Sequence, residues 1–400
     1  MPTLENNQTP KRSSKRRTSP YKRNRRLQGK YMSWLLIGTI VLLTLAGLFL
    51  QDREFSDSEN RKLAQWPEFS LSAIADGSYL QGMGDYIADQ FPLRDSWISL
   101  NLKLNTLLGQ KESSGVYLCE DNYLMQIPSA PNETQHARNL SAINTFAQNH
   151  PGLNMVMTVA PNAVTVLADK LPENAPVRDQ IADLYHIAST VTGARVIDVT
   201  QTLKDHSDEY LYYRTDHHWT SLAAYYAFQT IAPELKITAP ALDGYTVYPV
   251  STTFEGTLSS KSGSHSARDT VEIMVPKTGI EYYVTYNSDN NTNICSLYKR
   301  EALEQKDHYT VFFGGNYSRV DITTTANTER SLLIFKDSYA NCMIQFLYPY
   351  FDHITMIDPR YYYDNVEHVL TGNSITDVLF LYNADTFLGD TSLADVLVSE

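Results

Sequence analysis

Cysteine is scarce in this chain of 400 residues: Cys119, Cys295 and Cys342 are its only three. That excludes a disulfide framework, although one pair can form outside the cell, and the sequence does not say which. Basic charge is scarce too once the N-terminus is set aside. Residues 1–31 hold ten Lys or Arg against a single acid, Glu5, which leaves 23 basic and 44 acidic residues beyond them, a net of −21. A body that acidic excludes nucleic-acid binding, which needs a basic surface to displace phosphate counterions. There is no HExxH, no cysteine pair at zinc spacing and no internal repeat. No cofactor and no metal site are therefore expected. The remaining composition, 42% apolar and 20% charged, is that of a globular chain long enough for one large or two modest domains.

The first feature present is a run of nineteen residues without a charge, Met32 to Leu50. It approaches the ~20 residues a helix needs to cross a hydrocarbon core. It has no polar face, unlike a core helix. It exceeds the ~7–15 apolar residues of a cleaved signal peptide. The expectation is a transmembrane anchor at 32–50, a basic cytoplasmic tail at 1–31, and a body outside the membrane. The tail needs no specific partner beyond anionic lipid.

Residues 51–110 read as a helical membrane-proximal region punctuated by Pro92, with apolar spacing at Tyr79, Met83, Tyr86, Ile87 and Phe91. Gly115 to Ile127 reads as a hairpin around Asp121-Asn122. An alternation follows: strand Asn154–Ala160, helix Val177–Val191, strand Ala194–Val199, helix Thr220–Ile231, strand Ser331–Phe335, helix Tyr339–Tyr348, and strands His353–Ile357 and Ile375–Leu381. Strands alternating with helices predict an α/β fold with a mostly parallel sheet covered on both faces. Residues 244–330 break the rhythm and read as a β-rich insertion into the domain at 111–400.

The densest polar cluster is Thr215-Asp216-His217-His218-Trp219, between an aromatic strand, Tyr210–Tyr213, and a helix. A carboxylate two residues from an imidazole suits an orienter and a base. In extended chain Asp216 and His218 share a side and His217 turns away. A structural loop or a metal site is the competing interpretation, but adjacent histidines that point apart rarely chelate one ion. Ser338, in Lys336-Asp337-Ser338-Tyr339, follows an apolar strand and opens a helix. Open α/β sheets place sites at that edge, and the helix N-terminus can steady an oxyanion. A plain N-cap serine is the bland alternative. Asn316, after Gly314-Gly315 and an expected strand Tyr309–Phe313, can supply an oxyanion donor, although a tight turn explains Gly-Gly-Asn as well. Tyr339, Arg360 and Tyr361 are further candidates for substrate binding, with a salt bridge the alternative for Arg360. Cys342 is read as packed rather than reactive.

These residues resemble the DHHW protein family, named for the tetrad seen here as Asp216-His217-His218-Trp219. Other stretches with the resemblance are SENRKLAQWPEF, DQFPLRDSWI, FEGTLSSKSG, FKDSYANC and IDPRYYY, and together they span most of the body. The family is similar to the SGNH-hydrolase-like alginate O-acetyltransferases. The resemblance implies an SGNH-like three-layer sandwich with Ser338, His218 and Asp216 as a triad. The serine follows the Asp-X-His pair, inverting the order of ordinary SGNH esterases, and Lys336 stands where those have Gly. It further implies acetyl transfer on an extracellular or cell-wall polysaccharide, with a multi-spanning membrane acyltransferase as partner. A polysaccharide esterase with the same triad and a non-catalytic glycan-binding surface protein are the two alternatives.

Overall fold

The computed structural model describes residues 20–56, 58, 59, 61–286, 292–294 and 296–398. Helix α1, Pro20–Phe49, opens it. It starts twelve residues before the charge-free run, since Lys and Arg are good helix formers. Its stretch Leu27–Gly47 is long and apolar enough to cross a membrane and is not buried. That is compatible with a single-pass anchor and also with a signal sequence. Most of the basic tail lies outside the described residues.

The chain divides into two compact units, residues 1–55 with 62–94, and residues 56–61 with 95–400. In the first, α2 (Leu71–Ala75) is capped by Ser70, whose side chain accepts from the Ala73 N–H, and α3 (Ser78–Asp89) follows. Helix α4, Arg94–Leu107, leads into the second unit. There, β1 (Val116–Leu118) and β2 (Leu124–Gln126) form the expected hairpin. Its tip holds Asp121 and Asn122 at φ 53 and 62, which Asp and Asn tolerate better than most residues.

The alternating elements then appear in order. They are α5 (Glu133–Asn149), β3 (Asn154–Ala160), α6 (Gln180–Thr190), β4 (Arg195–Val196) and α7 (Ser221–Ile231). A separate antiparallel pair follows, β5 (Tyr245–Phe254) with β6 (Asp269–Pro276). The chain continues through β7 (Tyr282–Tyr286), β8 (Thr292–Ile294), β9 (Arg319–Thr324), β10 (Ser331–Lys336), α8 (Tyr339–Leu347), β11 (His353–Ile357), α9 (Val366–Gly372) and β12 (Asp377–Asn383).

The main sheet has eight strands in the order β8-β7-β9-β11-β10-β12-β3-β4. From β11 to β4 every pairing is parallel, while β9, β7 and β8 join one edge by antiparallel pairings. The sheet is therefore mixed rather than mostly parallel, because part of the 244–330 segment extends it instead of standing apart. The two kinds of strand look different in sequence for a physical reason. Strands β10 and β12 are buried on both faces and read as unbroken apolar runs, whereas β9 buries only Val320 and Ile322 on one face.

Each face of the sheet carries a core. Leu332 and Ile334 pack with Phe228 of α7 and Met343 of α8. Leu333 and Phe335 pack with Phe146 of α5, Ile187 of α6 and Val369 of α9. This two-sided burial holds β10 centrally between β11 and β12. The chain leaving β10 therefore emerges where neighbouring connections diverge, the place at which open α/β sheets form crevices.

Candidate active site

Two segments meet beyond the carboxyl end of β10. The first is the turn Lys336-Asp337-Ser338 into α8. Asp337, fully buried, accepts from the Tyr339 N–H at 2.8 Å and from the backbone and side-chain N–H groups of Asn383 at 2.9 and 2.5 Å. Its burial pushes its acid group up to about 6. Because Asp337 takes the first-turn N–H, Ser338 has no capping duty. Ser338 has helical φ and ψ and makes no side-chain cap bond. Its Oγ instead lies 2.7 Å from His218 Nε2.

The second segment is the loop 214–218. It is a run of bends closed by a bridge between Tyr212 and Trp219, not extended chain. Buried Asp269, at the start of β6, holds it by accepting from the N–H groups of Arg214 and Thr215, the Thr215 hydroxyl and the Tyr210 hydroxyl. Trp219 donates from Nε1 to the Tyr339 carbonyl at 3.0 Å, and the Tyr339 hydroxyl donates to the His217 carbonyl at 2.5 Å. The loop and the helix of the serine are thus tied directly.

Within this frame Asp216 Oδ1 accepts from His218 Nδ1 at 2.5 Å and from the His218 N–H at 3.0 Å. Its Oδ2 accepts from the Thr257 N–H and hydroxyl at 2.7 and 2.9 Å. Burial alone would raise the Asp216 carboxyl, but the two histidines and these hydrogen bonds hold it well below the usual carboxylate range. Asp216 is therefore charged, and His218 presents Nε2 to the serine. Tyr309 stacks on the His218 ring, 3.7 Å between centroids, and donates to the Ser338 carbonyl at 2.8 Å.

The structure corrects the expectation for His217. Because the loop bends, its ring does not turn away but lies 3.9 Å from that of His218, with Nδ1 2.9 Å from Thr257 Oγ1. Burial and the neighbouring His218 lower His217 to about 4, so it is neutral at pH 7. One ligand atom from each of Asp216, His217 and His218 lies within 4.8 Å of the others, close enough to gather on one ion. The hydrogen bonds to Ser338, Thr257 and between Asp216 and His218 already occupy the nitrogens Nε2 of His218 and Nδ1 of His217 and both carboxylate oxygens.

The other candidates fall in different places. Asn316 Oδ1 accepts from Lys336 Nζ at 3.2 Å and from Asn341 Nδ2 at 3.3 Å, which leaves its amide N–H end uncommitted among the described residues. Lys336 is itself buried, and burial lowers it to about 8. Tyr339 is fully buried, with its N–H and hydroxyl committed to Asp337 and His217. It supports the loop and presents neither group to a ligand. Arg360 forms a two-pronged pair with buried Asp358 and lies over the Tyr361 ring, so the salt bridge describes its contacts. Tyr361 is exposed. The expected strand at Tyr309–Phe313 is instead a 3₁₀ turn capped by Asp307, with φ of 68 and 84 at Phe313 and Gly314 reversing the chain. Cys342 is buried and free, Cys119 is free, and Cys295 lies outside the described residues.

Several supporting residues escaped the sequence: Asp269, Thr257, Tyr309 and Gly256. A Cβ on Gly256 would overlap Asp216, so only glycine admits the carboxylate there. Nothing local distinguishes these residues, which lie 37 to 90 positions beyond Trp219, the last residue of the tetrad. FEGTLSS, which contains Gly256 and Thr257, was the one available hint.

A groove of about 560 Å³ runs beside the loop past Tyr123, Tyr210 and Arg214, whose guanidinium lies 5.3 and 5.2 Å from the two rings.

A family model described as DHHW protein matches residues 59–118 and 136–357. A DHHW family protein from Eubacterium siraeum is similar with a TM-score of 0.62 and 25% identity, over 72% of this chain and 95% of that one. PatB1 of Bacillus cereus, solved with a sulfonyl adduct, is similar with a TM-score of 0.59 and 22% identity, over 69% and 97%. The O-acetyltransferase domain of Pseudomonas putida AlgJ has a TM-score of 0.46 and 14% identity, over 72% and 99%. No curated protein matches the chain.

Proposed function

The chain belongs to the DHHW protein family, and from that premise we propose that it is an exported, membrane-anchored O-acetyltransferase that acts on an extracellular or cell-wall polysaccharide. The observation that carries this reading is the continuous relay from Asp216 through His218 to Ser338, with Ser338 relieved of helix capping. Ser338 Oγ attacks the carbonyl of an acetyl donor and its proton passes to His218 Nε2. Asp216 keeps the Nδ1–H tautomer and stabilises the imidazolium. The tetrahedral oxyanion is met by the N-terminal end of α8 and by the amide N–H of Asn316, which Lys336 and Asn341 hold by its oxygen. Collapse expels the donor's leaving group, protonated by His218. A sugar hydroxyl then attacks the acetyl-serine, gives its proton to His218, leaves as the O-acetyl ester and regenerates Ser338.

Helix α1 serves as the anchor in this reading, with residues 1–31 cytoplasmic and the body outside. Acetyl groups are supplied across the membrane by a multi-spanning acyltransferase, as the family resemblance implies. The test uses the detergent-solubilised full chain, an activated acetyl ester and an oligosaccharide, and it follows acetylated glycan and free acetate together. Acetylated glycan from the wild type, lost in Ser338→Ala, supports the reading. Acetate without acetylated glycan replaces it with the esterase, and neither product replaces it with a non-catalytic glycan binder.

A further inference from the structure

The tetrad contains a second histidine for which the relay has no use. Its proton can be located. The Thr257 hydroxyl has one hydrogen, and charged Asp216 Oδ2, 2.9 Å away, takes it. Thr257 Oγ1 must therefore accept from His217 Nδ1 at 2.9 Å. The same assignment avoids a lone pair on Nδ1 facing Asp216 Oδ1 at 3.5 Å. Asp216 thus orients two imidazoles, His218 directly and His217 through Thr257. Both carry hydrogen on Nδ1 and an open lone pair on Nε2. That of His218 meets Ser338. That of His217 has no partner among the described residues, and its ring lines a cavity of about 140 Å³ with Leu124, Asn162, Leu258 and Asp385.

The polar groups of that cavity are unbalanced. Asn162 and Asn383 spend their amides on Gln180, Asp337 and Thr386. Among the described residues the Asp385 carboxylate takes Gln126 Nε2 and the Ser129 N–H alone, at 2.6 and 2.8 Å, and so keeps accepting capacity. The open functions among the described residues are mainly acceptors, His217 Nε2 and Asp385, with the hydroxyl hydrogen of Thr386 and the rest of the Gln126 amide beside them and apolar walls around. A ligand must bring O–H donors and an apolar face, and an anion is repelled by the carboxylate. A cavity of about 150 Å³ holds a benzene-sized group, so the 140 Å³ here takes one edge of a pyranose and leaves the rest of the unit outside.

We propose that His217 and Asp385 form a subsite that binds the hydroxyl groups of one neutral saccharide unit, next to the serine and separated from it by the His218 ring. This rests on the transferase reading only for what is done with the sugar, not for its binding.

The test titrates cellotetraose and chitotetraose into the detergent-solubilised Ser338→Ala chain, which removes turnover. His217→Asn keeps a nitrogen donor toward Thr257 and deletes the Nε2 acceptor, whereas His217→Gln carries an amide to the Nε2 position. With thermal midpoints held, Asn should weaken binding about tenfold, the worth of one buried hydrogen bond, and Gln should stay within about threefold. In the Ser338 background, His217→Asn should raise the saccharide KM about tenfold, more than it lowers kcat. No binding of either saccharide, or equal binding by the Asn variant and its parent, overturns the subsite. Absence of acetyl transfer by the wild type would sink the transferase while leaving the titration readable.

Discussion

The turn that carries Ser338 and the loop that carries His218 supply halves of one relay but are positioned by different means. The turn is placed by backbone register: β10 is clamped between β11 and β12, and α8 starts where β10 stops. The loop has no ladder of its own beyond one bridge. It is placed by side chains from elsewhere, Asp269, Thr257, Tyr309 and Tyr339. A site half on scaffold and half on loop is precise only if the loop's supports are held and satisfied; here Asp269, Tyr309 and Tyr339 are buried, and half-buried Thr257 is fixed by its two bonds to Asp216.

If the halves act as a unit, Ser338→Ala and His218→Ala should each lower acyl transfer by about 10⁴-fold or more, and the double variant should be little worse. Single-turnover rates with an activated ester check this, and additive losses would show the halves to be independent. Asp269→Ala should cost about 3–5 kcal/mol, because it leaves several buried donors unpaired. Urea unfolding measures that loss, and activity should fall with it while the sheet persists. Gly256→Ala is subtler. The added methyl displaces Asp216 without touching the turn, so kcat should drop about 10²-fold, with a loss of about 1–3 kcal/mol of stability from the overpacking. Trp219→Phe removes a single tie between the halves, and a loss of about 1 kcal/mol is expected in the same unfolding assay.

A pH-dependent effect separates the turn's own chemistry from the loop's. Burial lowers Lys336 to about 8 from its ordinary 10.5. Between those values the unfolded chain binds more protons than the folded one, so this group makes stability rise with pH across that window. Lys336→Met has no such slope. The thermal-midpoint difference, wild type minus variant, should therefore grow from pH 8 to 10.5, and a flat difference would mean that the amine is not desolvated.

The sequence disclosed the turn more fully than the loop. SLLIF followed by a polar turn and an amphipathic segment marks a buried strand and its helix, because both periods are local. It also marked Asp216 and His218 as partners, though for the wrong reason. Side chains alternate in direction only along extended backbone, whereas the loop bends and Asp216 Oδ1 accepts from both the N–H and Nδ1 of His218. Tyr309 was misplaced because TVFF is β-branched and aromatic, while capping by Asp307 and positive φ at Phe313 and Gly314 make it a turn.

By itself, then, the sequence determined the apolar N-terminal helix, the α/β alternation and the residue types of the relay, since hydropathy period and composition are properties of short windows. Tertiary structure decided that the edge strands run antiparallel, that Ser338 meets His218 across 120 residues, that Asp269 and Thr257 hold the loop, and that His217 faces a cavity. Each of these depends on which distant side chain fills a buried hydrogen-bond site, and no local period records that.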